Sequence, residues 1–127
     1  MNPRYALLLA IIPTALAAAS DTRPAPKPAA QPLGAPVSCV PLAQLGETRI
    51  RDDWTIDFVG TGNSVWRNAL TSRCSGLKAA NAITYETSLS QLCNTDIVYV
   101  LENAGGLHRG GACSLGQFVP VKLEKTR

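Results

Sequence analysis

Four cysteines, one histidine and a run of acids beside a tryptophan are the side chains here whose types and spacing could do chemistry. Cys39, Cys74, Cys93 and Cys113 stand far apart, whereas a zinc site draws its thiolates in close pairs such as Cys-x-x-Cys. An even number of widely spaced cysteines is instead the mark of a disulfide framework, and two disulfides are expected. Nucleophilic catalysis by a free thiol needs a base, and His108 is the single histidine. It falls in a glycine-rich stretch, where a histidine is more often a solvated side chain than a catalyst. Asp52, Asp53 and Asp57 carry the charge for a hard cation but lack the spaced, glycine-containing oxygen loop that calcium requires. They read as turn acids. No metal and no cofactor is expected.

Two short motifs dissolve on inspection. Ser75-Gly76-Leu77-Lys78 has the Ser-x-x-Lys form of penicillin-recognising enzymes, but the partner motif Ser-Asp-Asn is missing. Gly60-x-Gly62 lies between two strand patterns rather than at a strand-to-helix turn, which makes it a hairpin and not a dinucleotide loop. Arg49, Arg51, Trp54, Trp66 and Arg67 would suit nucleic acid, since small β folds stack bases on aromatics and meet phosphates with arginine. The charge balance argues the other way: from Cys39 onward nine Lys or Arg face eight Asp or Glu, short of a basic footprint. Nucleic acid is therefore not an expected partner, and Trp54 is placed in the core with Trp66 at the sheet surface.

The elements that position these residues follow from period-2 patterns. Trp54, Ile56 and Phe58 alternate with Thr55 and Asp57, a half-buried strand. Gly60–Asn63 supplies the turn of a hairpin and Ser64–Leu70 the return strand. Ala82–Thr87 is a weaker strand pattern, while Ile97–Leu101 is continuous, β-branched and central in character. Ala104–Gly111, with four glycines, is expected to be a loop, and Cys113–Val121 a final strand that Pro120 makes an edge. Thr48–Arg51 adds one more short strand and Pro41–Leu45 a helical turn. The fold class is thus all-β: a small antiparallel meander or barrel of five to six strands, stapled by disulfides, with a short N-terminal helical turn. With strands alternating up and down, Cys39 and Cys93 lie at one end and Cys74 and Cys113 at the other, so the expected pairs are Cys39–Cys93 and Cys74–Cys113, one of three possible connectivities.

Ahead of this module the chain changes character. Arg4 precedes the apolar run Ala6–Leu16, which is shorter than the roughly 20 residues that span a bilayer. Ala17-Ala18-Ala19-Ser20 offers small residues where a signal peptidase reads them, so residues 1–19 are expected to be a signal peptide cut between Ala19 and Ser20. An uncut anchor is the competing reading. No cysteine lies near the cut, so no lipid anchor is expected, and the mature protein should be soluble with no membrane span. Residues 20–38 carry Pro24, Pro26, Pro28, Pro32 and Pro36 among small and polar residues. Proline fixes φ and removes a donor, so this segment is expected to be an extended, semi-rigid linker to a single module, 39–127.

Several elements together resemble an uncharacterised family of small exported bacterial proteins with four cysteines. They are Cys39; the Asp-Asp and Thr-Ile pattern at Asp52–Ile56; Arg67-Asn68-x-Leu70; and Cys74-x-Gly76-Leu77. Tyr85–Cys93, Asp96-Ile97 and Cys113-x-Leu115-Gly116-x-Phe118 complete the pattern, which covers nearly the whole module. Ser75 departs from it, standing where proline is expected. The family has no established activity, so the resemblance implies a common fold and export to a periplasm or beyond, not a chemistry.

Three function classes remain. An exported, non-enzymatic binding or envelope-associated module ranks first, with a cell-envelope component or another exported protein as partner. Its expected binding face is the strand pair bearing Arg51, Asp57, Trp66, Arg67 and Asn68. A small periplasmic hydrolase using His108 or a carboxylate ranks second, and would need a cleft and a hydrogen-bonded partner for that group. A purely structural accessory ranks third.

Overall fold

The computed structural model describes residues 10–13, 23–87 and 89–125. The expected cleavage site at Ala19 and Ser20 lies outside them. Ten short strands follow in order: β1 (Ala30–Pro32), β2 (Cys39–Pro41), β3 (Glu47–Asp52), β4 (Thr55–Val59), β5 (Val65–Ala69), β6 (Ile83–Thr84), β7 (Gln91–Cys93), β8 (Ile97–Glu102), β9 (His108–Ser114) and β10 (Phe118–Leu123). They pair antiparallel into three sheets: β1-β10-β5-β4-β3, β2-β7 and β6-β8-β9. The fold is all-β. It is not a closed barrel, because β1 and β3 end the large sheet on opposite sides without meeting.

Alternation along β4 sends Ile56 and Phe58 inward, where they meet Ile50 of β3, Phe118 of β10, and Val98 and Val100 of β8 in one core. The Phe58 and Phe118 rings lie 5.6 Å apart and tilted by 58°, an edge-to-face arrangement. Each such fully buried side chain stabilises the fold by about 1.5–3 kcal/mol. A core this small gains from its cross-links. Cys39–Cys93 closes 54 residues and Cys74–Cys113 closes 39, and loops of that length correspond to about 4 kcal/mol each on the chain-entropy model. The pairing is the expected one, but its geometry is more direct than end-to-end alternation. Cys39 and Cys93 face each other across the β2-β7 ladder, while Cys74 reaches β9 from the segment that follows β5.

Five expectations change. Residues 20–38 are not wholly a spacer: β1 pairs with β10, Ala30 opposite Leu123, and Val37 bridges to Phe118. The packed structure thus begins before Cys39. β10 is consequently interior, not an edge. Pro120 is tolerated because its carbonyl, and therefore its missing donor, faces Leu33 rather than β5. Third, β9 begins at His108, so the glycine-rich loop is confined to residues 103–107, where Gly105 and Gly106 take positive φ. Gly110 and Gly111 are strand residues there, and a side chain at Gly110 would collide with Glu102. Fourth, Trp54 lies outside β4, in the turn from β3, under the Arg23 guanidinium 4.3 Å from its ring centroid. Trp66 instead packs against the core. Fifth, the strand pattern at Ala82–Thr87 shrinks to two residues, and the short ladder β2-β7 appears where none was expected. The helical turn is present as a single 3-10 turn, Leu42–Gln44.

Candidate functional site

The two faces of the large sheet differ in what covers them. Register places Asp57 of β4 directly opposite Arg67 of β5 on the face turned away from the core. Arg67 Nε donates to Asp57 Oδ1 at 2.8 Å and Arg67 Nη2 to Oδ2 at 2.9 Å, a two-pronged pair. On the other side Arg49 stands opposite Asp57 in register but pairs with Glu47 instead. The register shift between Ile50 and Asp52 supplies an extra residue, Arg51, whose Nε donates to Asp57 Oδ2 at 2.8 Å. Re-aiming a side chain is what a bulge does. Asp57 is 0% exposed, and the Arg67 and Arg51 side chains 10% and 17%.

What buries these charges is the proline-rich segment. Arg67 Nη2 also donates to the Pro28 carbonyl at 2.8 Å. From there the chain runs into β1, with Glu124 N donating to Ala29 O and Leu33 N to Pro120 O. Between this segment and the sheet lies an open cleft of about 420 Å³, lined by Pro26, Pro32, Ala69, Val119 and Val121 with Arg67 as its single charged wall. Its size falls in the range of small-molecule sites. A wider cleft of about 700 Å³ lies at the Trp66 end of the sheet, rimmed by Arg49, Lys122 and Lys125. Its cations are surface side chains that water solvates, so it is the less constructed of the two.

Of the five residues expected to form a binding face, the structure brings three together, Arg51, Asp57 and Arg67. The other two point to the opposite side of the sheet. Asn68 is fully buried, and its side chain pins the turn before β10: Nδ2 donates to Gly116 O at 2.7 Å and Oδ1 accepts from Gly116 N at 2.8 Å. Trp66 shares that inner face, its Nε1–H buried without an acceptor among the described residues. The set is therefore not one displayed surface, because neighbours along a strand face opposite ways. Sequence reading missed the roof. Pro28 and Ala30 join the sheet through backbone groups alone, and backbone pairing leaves no hydrophobic signature.

His108 does have a carboxylate partner, Glu102 Oε2 at 3.0 Å from Nε2, but the two side chains are 49% and 45% exposed on the β8-β9 hairpin. Beside them Arg109 reaches Glu86 and lies 4.5 Å from the Tyr99 ring centroid. Asp53, near the helical turn Leu77–Ala80, accepts from the Lys78 backbone N–H and from Arg73. The Lys78 amide holds its carboxyl below the usual carboxylate range; burial opposes this and Arg73 assists. Asp52 Oδ1 accepts from Trp54 N in the turn between β3 and β4, so these two act as turn acids, whereas Asp57 is a strand residue of β4 and not the turn acid expected. Among the described residues no group of His, Cys, Asp and Glu side chains is arranged to hold a metal ion. Comparison with protein-family models, curated proteins and solved structures finds no match, so the site is read from its own geometry.

Proposed function

We propose that this chain is an exported binding module that takes its ligand, a component of the cell envelope, on the outer face of the five-stranded sheet. The observation that carries this reading is the constructed cleft: a folded proline-rich segment roofs that face, and a buried, oriented arginine lines the space between them. Export on residues 1–19, cleavage before Ser20 and a periplasmic or extracellular destination belong to the same proposal. The two disulfides support it, since such bonds persist in oxidising compartments. The resemblance to small exported bacterial proteins agrees with it.

The test is a heteronuclear NMR screen of the isotope-labelled, oxidised chain against a library of small fragments. Perturbed amides are expected to cluster at Ala30, Arg67, Ala69, Val119 and Val121, and Val119→Trp is expected to abolish them. Hits scattered elsewhere, or insensitive to Val119→Trp, overturn the reading. The hydrolase alternative draws its support from the His108–Glu102 contact. Ester turnover that is lost in His108→Gln would establish it.

A further inference from the structure

Arg67 is nine-tenths buried, and its donors can be counted. A guanidinium has five N–H groups. Nε gives its one to Asp57 Oδ1, and Nη2 gives two, to Asp57 Oδ2 and the Pro28 carbonyl. Both N–H groups of Nη1 are left without a partner among the described residues. Nη1 is not sealed in the protein either, since the buried polar atoms that lack a partner do not include it. Arg67 opens into the 420 Å³ cleft, where the other walls include Pro26, Pro32, Ala69, Val119 and Val121 and no acidic side chain.

The charges of the cluster do not cancel. Arg51 and Arg67 bring two positive charges, and Asp57 brings one negative. Arg67 is nine-tenths buried, so water reaches its Nη1 only from the cleft, and the partly desolvated surroundings strengthen its attraction for an anion. The excess is one unit. A monoanion matches it, and a dianion would reverse the imbalance.

Resting on the binding reading above, we infer that the cleft is a subsite for a small monoanionic carboxylate on a compact apolar body, the carboxylate accepting from Arg67 Nη1 and the body lying against Ala69, Val119 and Val121. Gln117, exposed at the same cleft, adds an uncharged polar side chain to its lining. A carboxylate suits Nη1 because a hydrogen bond between two charged groups is shorter and roughly twice as strong as a neutral one.

The probe pair is cyclohexanecarboxylate and its neutral isostere cyclohexanecarboxamide, each titrated into the full oxidised chain and followed by the amide signals of Arg67, Ala69 and Val119. The acid is expected to bind at least about tenfold more tightly than the amide, the difference a charge-assisted bond makes over a neutral one. In Arg67→Gln the preference is expected to vanish. Should that variant not fold, Val119→Trp, which retains all three charged side chains and fills the cleft opposite Arg67, is expected to exclude both probes. Equal affinity for acid and amide overturns the monoanion inference while leaving the binding module standing. Inorganic phosphate competing as well as the acid also overturns it, since the apolar body then adds nothing. No response to either probe, together with no fragment hits at the cleft, removes both readings.

Discussion

Replacing Asp57 by Asn tests whether the outer-face cluster is a buried ion network or solvated surface. The carboxylate accepts three hydrogen bonds from two guanidiniums, at 2.8, 2.8 and 2.9 Å, while itself fully buried. Asn keeps the volume but offers one acceptor, and its amide donors then face groups that can only donate. Two largely buried cations lose their counter-charge. Removing one member of a buried ion pair costs about 3–5 kcal/mol, mostly as the penalty on the charges left behind. Against a total stability of about 5–15 kcal/mol for a domain, that is a large share. At an m-value of about 1.5 kcal/mol per molar, the urea midpoint of the oxidised protein moves down by about 2–3 M. The triple variant Arg51→Met, Asp57→Leu, Arg67→Met, which removes the charges together, is expected to recover most of the loss. An Asp57→Asn cost under about 1 kcal/mol would refute the reasoning and show that water reaches the cluster.

Asn68→Leu leaves the Gly116 amide and carbonyl unpaired in the interior, and Gly116→Ala drives its Cβ into the Ala69 carbonyl oxygen. Each is expected to cost about 2–4 kcal/mol, a Tm lower by roughly 10–20 °C in thermal unfolding followed by circular dichroism; an unchanged Tm in Asn68→Leu means that the pin contributes nothing. Asp53 titrates below the unfolded value of 3.8 when folded. Its contribution is therefore present above about pH 4 and is lost as pH falls through the folded value. The stability gap between wild type and Asp53→Asn is expected to close as pH falls below about 4, whereas a pH-independent gap would mean that Asp53 acts by shape alone.

How much of this was legible depended on whether side chains or backbone did the work. Ile56 and Phe58, alternating with Thr55 and Asp57, were readable as one strand with two faces, and the β-branched run at Ile97 as another, because burial imprints a period on the sequence. The alternation at Trp54 misled, since the Asp52 side chain turns the chain there before the strand begins. β1 and β7 left no such imprint. They are three residues long and owe their place to partners, β10 and the Cys39 strand, that lie far off in sequence. The pairing of Asp57 with Arg67 and Arg51 was visible as a grouping of residues but not as a burial. The bulge that turns Arg51 rather than Arg49 onto the carboxylate has no local signal.

The composition of the roof explains why charge is tolerated under it. On the outer face of the large sheet it is the proline-rich segment that meets Arg67; on an uncovered sheet face arginines would ordinarily remain in water. A segment rich in proline is poor in donors, because each proline gives up its N–H while keeping its carbonyl. Guanidinium is the converse, five donors and no acceptor. The carbonyl of Pro28 on Arg67 Nη2 is the contact in which the two deficits meet. A Lys- or Ser-rich strap would bring donors of its own to a site already in excess of them. Aromatic or aliphatic cover would leave the Nη2 proton without an acceptor. The same segment also pairs its backbone with β10 through Ala29, Leu33 and Val37, so the cover is fixed in register. The prolines between Arg23 and Cys39 therefore do more than act as a spacer. They complete the sheet at one edge, accept from a buried cation at its centre, and leave between the two a cleft whose one charged wall is Arg67.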